Sequence, residues 1–426
     1  MLGNVTCIKQ QILIFVCLVL CNINVAQIPN QQNVLADRRN GPEAYKKPYV
    51  ILISVDGFRA DYAEKYKAET IRKLQSQSVQ AKYLIPSFPS KTFPNHYTLT
   101  TGLYPAHHGI INNYFYNPSQ KSFYAVAKPK VVRNGTWYGG TPLWVLAEQQ
   151  QVLSACLFWP GSEANIKDVR PSYYYNYTEK IPIEQRIQII VDWLNLPAEK
   201  RPHLISFYLP EVDKAGHAHG PNAPETGAAV RFIDAAVKQL TEAVATTGLP
   251  VNYVLVSDHG MVEVDNKNTM LLPGYVDTAQ FVVAINDVMV ELYSKTKNQE
   301  EISKTYKKLK QDQNGYKAYI KTNTPARFHY RAKDDSLQRI GDIILLAQYP
   351  KIFRVGSGKA NPGTHGFDPK LKDLRAIFFA WGPAIEKRIK LKPFENVHVY
   401  PFVARLLELE YSFKIDGDDR VVKKVF

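Results

Sequence analysis

Val50-Ile51-Leu52-Ile53-Ser54-Val55 runs directly into Asp56. An almost unbroken Val/Ile/Leu run of this length suits a strand buried on both faces, as in a parallel sheet covered by helices. Two further stretches share the design. Leu204-Ile205-Ser206-Phe207-Tyr208-Leu209 leads to Asp213 and His217, and the run from Val251 to Ser257 ends in Asp258-His259. Open α/β sheets bind ligands beyond the carboxyl ends of their strands. Carboxylates and imidazoles gathered from three such ends predict one metal-dependent site on an α/β fold.

The 426 residues are 45% hydrophobic and 22% charged, ordinary values for a globular protein. One large α/β domain carrying an insertion accounts for that length. The formal net charge is +14, or +13 without residues 1–26, whose only charged side chain is Lys9. A basic surface attracts nucleic acid, anionic lipid or anionic small substrates. No dense Lys/Arg stripe with interleaved aromatics is present, so specific nucleic-acid readout is not expected.

Residues 1–26 have the form of a secretory signal: Lys9, an apolar core from Ile12 to Cys21, and Val25-Ala26 as a cleavage point. The apolar core is shorter than the roughly 20 residues a membrane span needs, and no later stretch is long and apolar enough to span. Cys7, Cys17 and Cys21 fall inside the signal, so Cys156 alone remains and the mature chain forms no internal disulfide. Export without disulfides fits a bacterial periplasm or surface better than an animal extracellular fluid. On that reading Asn134-Gly-Thr and Asn176-Tyr-Thr are chance matches to the glycosylation pattern.

Residues 27–47, polar with Pro, Gln and Asn, read as a flexible lead-in. A catalytic region spans 48–260 and 361–426. Between its parts, 261–360 reads as a small α+β insertion or cap. Its signals are a hairpin of Phe281–Ile285 and Val288–Tyr293 around Asn286-Asp287, a charged helix from Glu300 to Gln311, and a strand at Ala318–Ile320.

Pro89-Ser90-Lys91-Thr92-Phe93-Pro94-Asn95-His96 reads as a loop entering a helix that stops at Gly102, with Thr92 as a good N-cap. Thr92 either caps that helix or acts as a nucleophile, which requires activation by a base, a metal or a positive field. The helix N-terminus offers free N–H groups to a phosphate, and Asn113 either turns the chain or donates an amide hydrogen bond to the same phosphate. Local sequence leaves both pairs of readings open.

Taken together the motifs resemble the nucleotide pyrophosphatase/phosphodiesterase family of the alkaline-phosphatase superfamily. The likeness lies in Val55-Asp56-Gly57-Phe58-Arg59, the Thr92 segment, Thr101-Gly102-Leu103-Tyr104-Pro105, His108-Gly109-Ile110, Phe158-Trp159-Pro160-Gly161, Ser257-Asp258-His259-Gly260-Met261 and Gly363-Thr364-His365-Gly366. It runs in order from about residue 48 to the C-terminus.

The resemblance implies an alkaline-phosphatase-like, mostly parallel central sheet flanked by helices, and two Zn²⁺ per chain. Asp213, His217 and His365 match the ligands of the zinc serving the attacking water. Asp56, Thr92, Asp258 and His259 match those of the zinc at the nucleophile. It further implies attack by Thr92, a covalent phosphothreonine intermediate, and oxygen binding by Asn113 and the Phe93 N–H. Nucleotide phosphodiesters and pyrophosphates are the implied substrates, with nucleoside 5′-monophosphates released by a secreted monomer.

Phosphate monoesterases of the superfamily carry cations near the position of Phe158-Trp159-Pro160-Gly161, which is apolar here and suits a substituted phosphate. Phe93, Trp159, Tyr177 and Tyr208 are the expected substrate-binding residues, their rings suited to stacking on any base. His96, His107, His108 and His219 are expected to pack or face solvent. The alternative readings are a lysophospholipid or choline-type phosphodiesterase using the same metals, a phosphate monoesterase, and an inactive scaffold. A sulfatase is excluded because Cys156 is followed by Leu-Phe-Trp-Pro.

Overall fold

The computed structural model describes residues 31–312, 314–386 and 388–426. The expected signal at 1–26, with Cys7, Cys17 and Cys21, lies outside the described residues. A nine-stranded sheet organises the chain. Its order is Gln32–Val34, Tyr173–Tyr175, Ser154–Leu157, Leu204–Leu209, Tyr49–Val55, Val251–Val256, Phe378–Trp381, Val79–Ala81 and Lys390–Leu391. The three runs that predicted the fold are adjacent, central and parallel, with Ile51 opposite both Ile205 and Tyr253. Phe378–Trp381 returns antiparallel beside Val251–Val256.

Alternation along the central strand shows why it is apolar throughout. Val50 and Leu52 enter one core, while Ile51, Ile53 and Val55 enter the other. The first core packs against the helices Thr92–Thr101, Leu143–Gln149 and Val399–Leu406; the second against Ile183–Leu194 and Pro224–Ala245. With both faces covered, a polar residue within these strands has no solvent to face, which selects Val, Ile and Leu. Among the described residues no helix is long and apolar enough to cross a membrane.

The lead-in expected at 27–47 holds two short elements in its described part. Gln32–Val34 pairs antiparallel with Tyr173–Tyr175, and Pro42–Lys46 forms a short 3₁₀ turn. Backbone pairing decides this, so the polar side chains gave no signal of it.

Residues 281–347 build a separate four-stranded antiparallel sheet, ordered Phe281–Ile285, Met289–Ser294, Ile343–Ala347 and Tyr316–Ile320. Gln299–Gln311 packs on it as a helix capped by the Asn298 side chain. Within this sheet Glu291 is fully buried. It accepts hydrogen bonds from the Tyr330 hydroxyl at 3.0 Å, the Gly341 N–H at 3.2 Å and the Tyr293 hydroxyl at 3.2 Å. Burial pushes its pKa up to about 7 from an ordinary 4.5. The folded state therefore holds this proton more tightly than the unfolded chain does. Its contribution to stability is complete below the ordinary value and is lost as pH rises through about 7. Glu291→Gln removes the charge and keeps an acceptor, so it should raise stability at pH 8 by about 2–3 kcal/mol and leave stability at pH 5 nearly unchanged. Urea unfolding midpoints at the two pH values test this, and an unchanged midpoint at pH 8 would refute it.

Candidate active site

The site lies at the carboxyl ends of the three central strands. Asp56 directly follows Val55, Asp258 lies two residues beyond Val256, and Asp213 sits in the first turn of the helix Glu211–His219. Gly57 makes their approach possible. Its φ is +68°, and a Cβ there would stand 2.9 Å from the Asp213 Cα.

Thr92 arrives from the opposite side of the crevice. It is the first residue of the helix Thr92–Thr101, and the extended Lys91 before it is the N-cap. The cap expected at Thr92 is thus displaced by one residue, and no side chain performs that capping. The Thr92 hydroxyl is left free to face the crevice, 3.4 Å from His259 Nε2. The Thr92 carbonyl is held 2.9 Å from His96 Nδ1, while His96 Nε2 lies 2.8 Å from the Ser54 hydroxyl. His96, fully buried, ties the nucleophile turn to the central strand.

The histidine tautomers follow from their carbonyl partners, since a carbonyl can only accept. His217 Nδ1 lies 2.8 Å from Gly363 O, His365 Nδ1 2.7 Å from Ser90 O, and His259 Nδ1 2.9 Å from Gly260 O. In the neutral rings each Nε2 is therefore a bare lone pair. His217 Nε2 and His365 Nε2 stand 3.0 Å apart, and each is 3.5 Å from Asp213 Oδ1. His259 Nε2 is 2.9 Å from Asp258 Oδ2 and 3.4 Å from Asp56 Oδ1. Asp56 Oδ1, Asp213 Oδ1 and Asp258 Oδ2 are buried without a hydrogen-bond donor among the described residues.

Lone pairs at such separations repel unless a cation lies between them. Separations near 3.3 Å are what ligands of a tetrahedral ion with arms of about 2.0 Å require. Asp56, Asp258 and His259 form one candidate metal group, and Asp213, His259 and His365 a second. His217 extends the second group through its contacts with His365 and Asp213.

The charge balance agrees. Burial, then Asp258 and Asp213, push the Asp56 carboxyl well above its usual range. Burial opposes ionisation of Asp258, but His259 and His96 hold it below the usual carboxylate range. Burial holds His365 well below the usual imidazole range, with His259 and Lys91 adding repulsion. Metal-ion charge reverses this local logic by favouring bare carboxylates and neutral imidazoles.

Beside Thr92 a cavity of about 310 Å³ is lined by Phe93, Asn113, Trp159, Tyr177 and Tyr208, among others. The sequence-predicted residues converge, but several do more than line it. Tyr208 is buried and its hydroxyl donates to Asp56 Oδ2 at 2.6 Å. Trp159 is buried as a back wall, its indole N–H donating to His96 O. Tyr177 stands exposed at the mouth. The Phe93 N–H, expected to bind a phosphate oxygen, instead donates to Asn113 Oδ1 at 3.0 Å. That bond fixes the amide's orientation and makes Asn113 Nδ2 its remaining donor.

Sequence reasoning missed other parts. Lys91 and Asp287 form an ion pair of 2.6 Å, and the Thr364 hydroxyl donates to the other Asp287 oxygen. Arg133, Glu163 and Lys214 line the cavity, with Arg133 paired to Glu163 and Lys214 to Glu179. The position of Lys91 directly before Thr92 was the one available signal. His107 pairs with Asp416, His108 is buried, and His219 is exposed, as their sequence readings expected.

The sequence profile of the family described as type I phosphodiesterase/nucleotide pyrophosphatase matches residues 50–368. The chain belongs to that family. Family member 1 of the mouse ectonucleotide pyrophosphatases/phosphodiesterases is 34% identical over 382 residues, covering 86% of this chain and 42% of the mouse protein. Venom phosphodiesterase 2 of Crotalus adamanteus is 34% identical over 385 residues, covering 87% of this chain and 46% of its own. The chain thus spans less than half the length of these curated relatives. Murine ectonucleotide pyrophosphatase/phosphodiesterase 5 superposes with a TM-score of 0.81 at 27% identity, over 88% of this chain and 99% of its own. An inactive threonine-to-alanine form of it, in complex with AMP, gives the same TM-score at 26% identity. The family and fold expectations therefore hold, including the alkaline-phosphatase-like α/β architecture.

Proposed function

We propose that the chain hydrolyses nucleotide phosphodiester and pyrophosphate bonds and releases nucleoside 5′-monophosphates. The observation that carries this reading is the position of the free Thr92 hydroxyl. It stands between the bare-donor cluster and the aromatic cavity. Relatives named as nucleotide pyrophosphatases or phosphodiesterases support it, as does the AMP held by an inactive threonine variant of one of them.

Two Zn²⁺ are the proposed cofactors, one held by Asp213, His217 and His365, the other by Asp56, Thr92, Asp258 and His259. When bound, they supply electrostatic stabilisation and lower the pKa of coordinated hydroxyls near neutrality. Thr92 Oγ1 attacks phosphorus as the bond to the leaving-group oxygen breaks and that oxygen departs with the electron pair; water then cleaves the Thr92 Oγ1–phosphorus bond of the phosphothreonine and releases the nucleoside 5′-monophosphate. Asn113 Nδ2 donates to a non-bridging oxygen. The helix N-terminus adds partial positive charge, its Phe93 N–H being held by Asn113. Phe93 and Tyr177 flank the base, with Tyr208 and Trp159 supporting the inner wall. The proposed enzyme acts outside the cytoplasm, in a periplasm or extracellular space, as a monomer.

The cation pattern argues against a monoester substrate. Arg133 and Lys214 are each paired at the cavity rim, and Lys91 is paired with Asp287. None is free to hold the extra charge of a monoester.

Bis-p-nitrophenyl phosphate should be hydrolysed at least about tenfold faster than p-nitrophenyl phosphate at equal concentration, a preference of about 1.4 kcal/mol. Chelator should abolish the turnover and zinc restore it. Faster monoester turnover would make this a phosphatase. Zinc binding without turnover of either compound would favour lipid head groups or a non-catalytic role.

A further inference from the structure

Arg339 is a buried cation with no part in the proposed chemistry. It is 3% exposed, yet it forms no ion pair among the described residues. Burial pushes its pKa down to about 10, so it stays charged at neutral pH. A charge in a protein interior is costly unless hydrogen bonds compensate it. Three backbone carbonyls do so here. Nη1 donates to Gly109 O at 2.8 Å and to Trp137 O, and Nη2 donates to Thr136 O at 3.3 Å. The guanidinium also lies 5.3 Å from the Trp137 ring centroid and 5.9 Å from that of Phe115. A planar fork of donors with two open faces suits this set, which a lysine ammonium could not span.

The insertion supplies Arg339, and what it grips belongs to the catalytic region. Asp335 accepts the Arg339 and Ile340 N–H groups at 2.7 and 2.9 Å, fixing where the side chain starts. Gly109 lies four residues before Asn113, and Phe115 two residues after it. Between Gly109 and Asn113, Ile110, Ile111 and Asn112 are fully buried, so a shift at Gly109 has no slack to absorb it. Gly109 has a φ of +85°, and a Cβ there would stand 2.6 Å from Arg339 Nη1. Glycine alone permits that approach. The chain on both sides of Asn113 thus closes on one guanidinium. We propose that Arg339 is a positioning residue for the reaction: by holding Gly109, Thr136 and Trp137 it sets where the Asn113 amide meets the non-bridging phosphate oxygen. This rests on the proposed hydrolysis and on Asn113 Nδ2 as a donor to the phosphate. Arg339 serves the oxygen-binding side of the site, whereas the Lys91–Asp287 pair lies beside the nucleophile.

The test is a cycle of Arg339→Met, Asn113→Ala and the double variant, all zinc-loaded with metal content checked. The substrate is the p-nitrophenyl ester of thymidine 5′-monophosphate. Asn113→Ala should lower kcat by about 10²-fold, the loss of one preorganised donor. Arg339→Met should lower it by about 10- to 100-fold with KM within about threefold. In the Asn113→Ala background the same substitution should cost less than about threefold, because the group it positions is gone. Hydrogen exchange should quicken over residues 109–117 in Arg339→Met and stay unchanged over 50–55. Arg339→Lys, which keeps the charge without the fork, should fall between wild type and Arg339→Met in both readouts, and it carries the cycle if Arg339→Met does not fold. A lowered unfolding midpoint with unchanged kcat would make Arg339 merely structural and overturn the proposal. So would losses that multiply in the double variant, or unchanged exchange over 109–117. A wild type that hydrolyses no diester would instead sink the hydrolase reading and the positioning role with it, while the exchange arm would still show whether the clamp exists.

Discussion

Thr92→Ala is expected to lower kcat on a nucleotide phosphodiester by about 10⁴-fold or more. Bound metal and affinity for a nucleoside monophosphate should stay within roughly a factor of three of wild type in the same variant. The size follows from the residue's position. Thr92 is the first residue of its helix, no side-chain cap engages its hydroxyl, and Oγ1 faces the donor cluster. Removing the hydroxyl removes the bond-forming atom itself. The backbone remains pinned through His96 and Ser54, and Asp56, Asp258 and His259 still form a three-donor group. Acid-quenched wild-type enzyme should carry phosphate on Thr92, and the variant should carry none. Thr92→Ser, which keeps an oxygen at the same place, should recover part of the rate. A Thr92→Ala enzyme within tenfold of wild type would instead mean direct attack by water, with Thr92 serving only the helix start.

The central sheet was legible because its strands are buried on both faces. The runs at 50–55, 204–209 and 251–256 could be read from hydrophobicity alone. Their carboxylates were legible as a site because chain direction places them at one edge of a parallel sheet. The strands Gln32–Val34 and Ser154–Leu157 offered less. One is polar and the other short, and both are specified by backbone partners that no local pattern encodes. The same limit separates Thr92 from its details. Motifs placed a hydroxyl at a helix start, but whether Lys91 or Thr92 caps depends on a backbone angle. Likewise, nothing in sequence shows that the Phe93 N–H donates to Asn113 Oδ1, twenty positions on.

Least legible was the brace between the insertion and the nucleophile, and its loss should be costly. Asn286-Asp287 gave only a hairpin signal, and Asp287 lies 196 residues from its partner Lys91. The Lys91 side chain is only 8% exposed, so its ammonium depends on Asp287 Oδ1 at 2.6 Å. The same oxygen accepts the Val288 N–H, while Oδ2 takes the Thr364 hydroxyl beside the metal-ligand candidate His365. Asp287 thus joins the insertion sheet to both the residue before the nucleophile and the residue before a metal ligand.

Asp287→Ala leaves the buried Lys91 charge unpaired and should destabilise the protein by about 3–5 kcal/mol. It should also loosen Thr92 and Thr364 together, lowering kcat by about 10²-fold with a smaller change in KM. Lys91→Met removes the orphaned charge. The double variant should regain much of the stability of Asp287→Ala without regaining kcat, because nothing would then position Thr364. Urea unfolding, zinc stoichiometry and separate kcat and KM values test the cycle. Additive stability losses in the double variant would dissolve the coupling. Recovery of kcat together with stability would reduce the brace to a fold-stabilising pair.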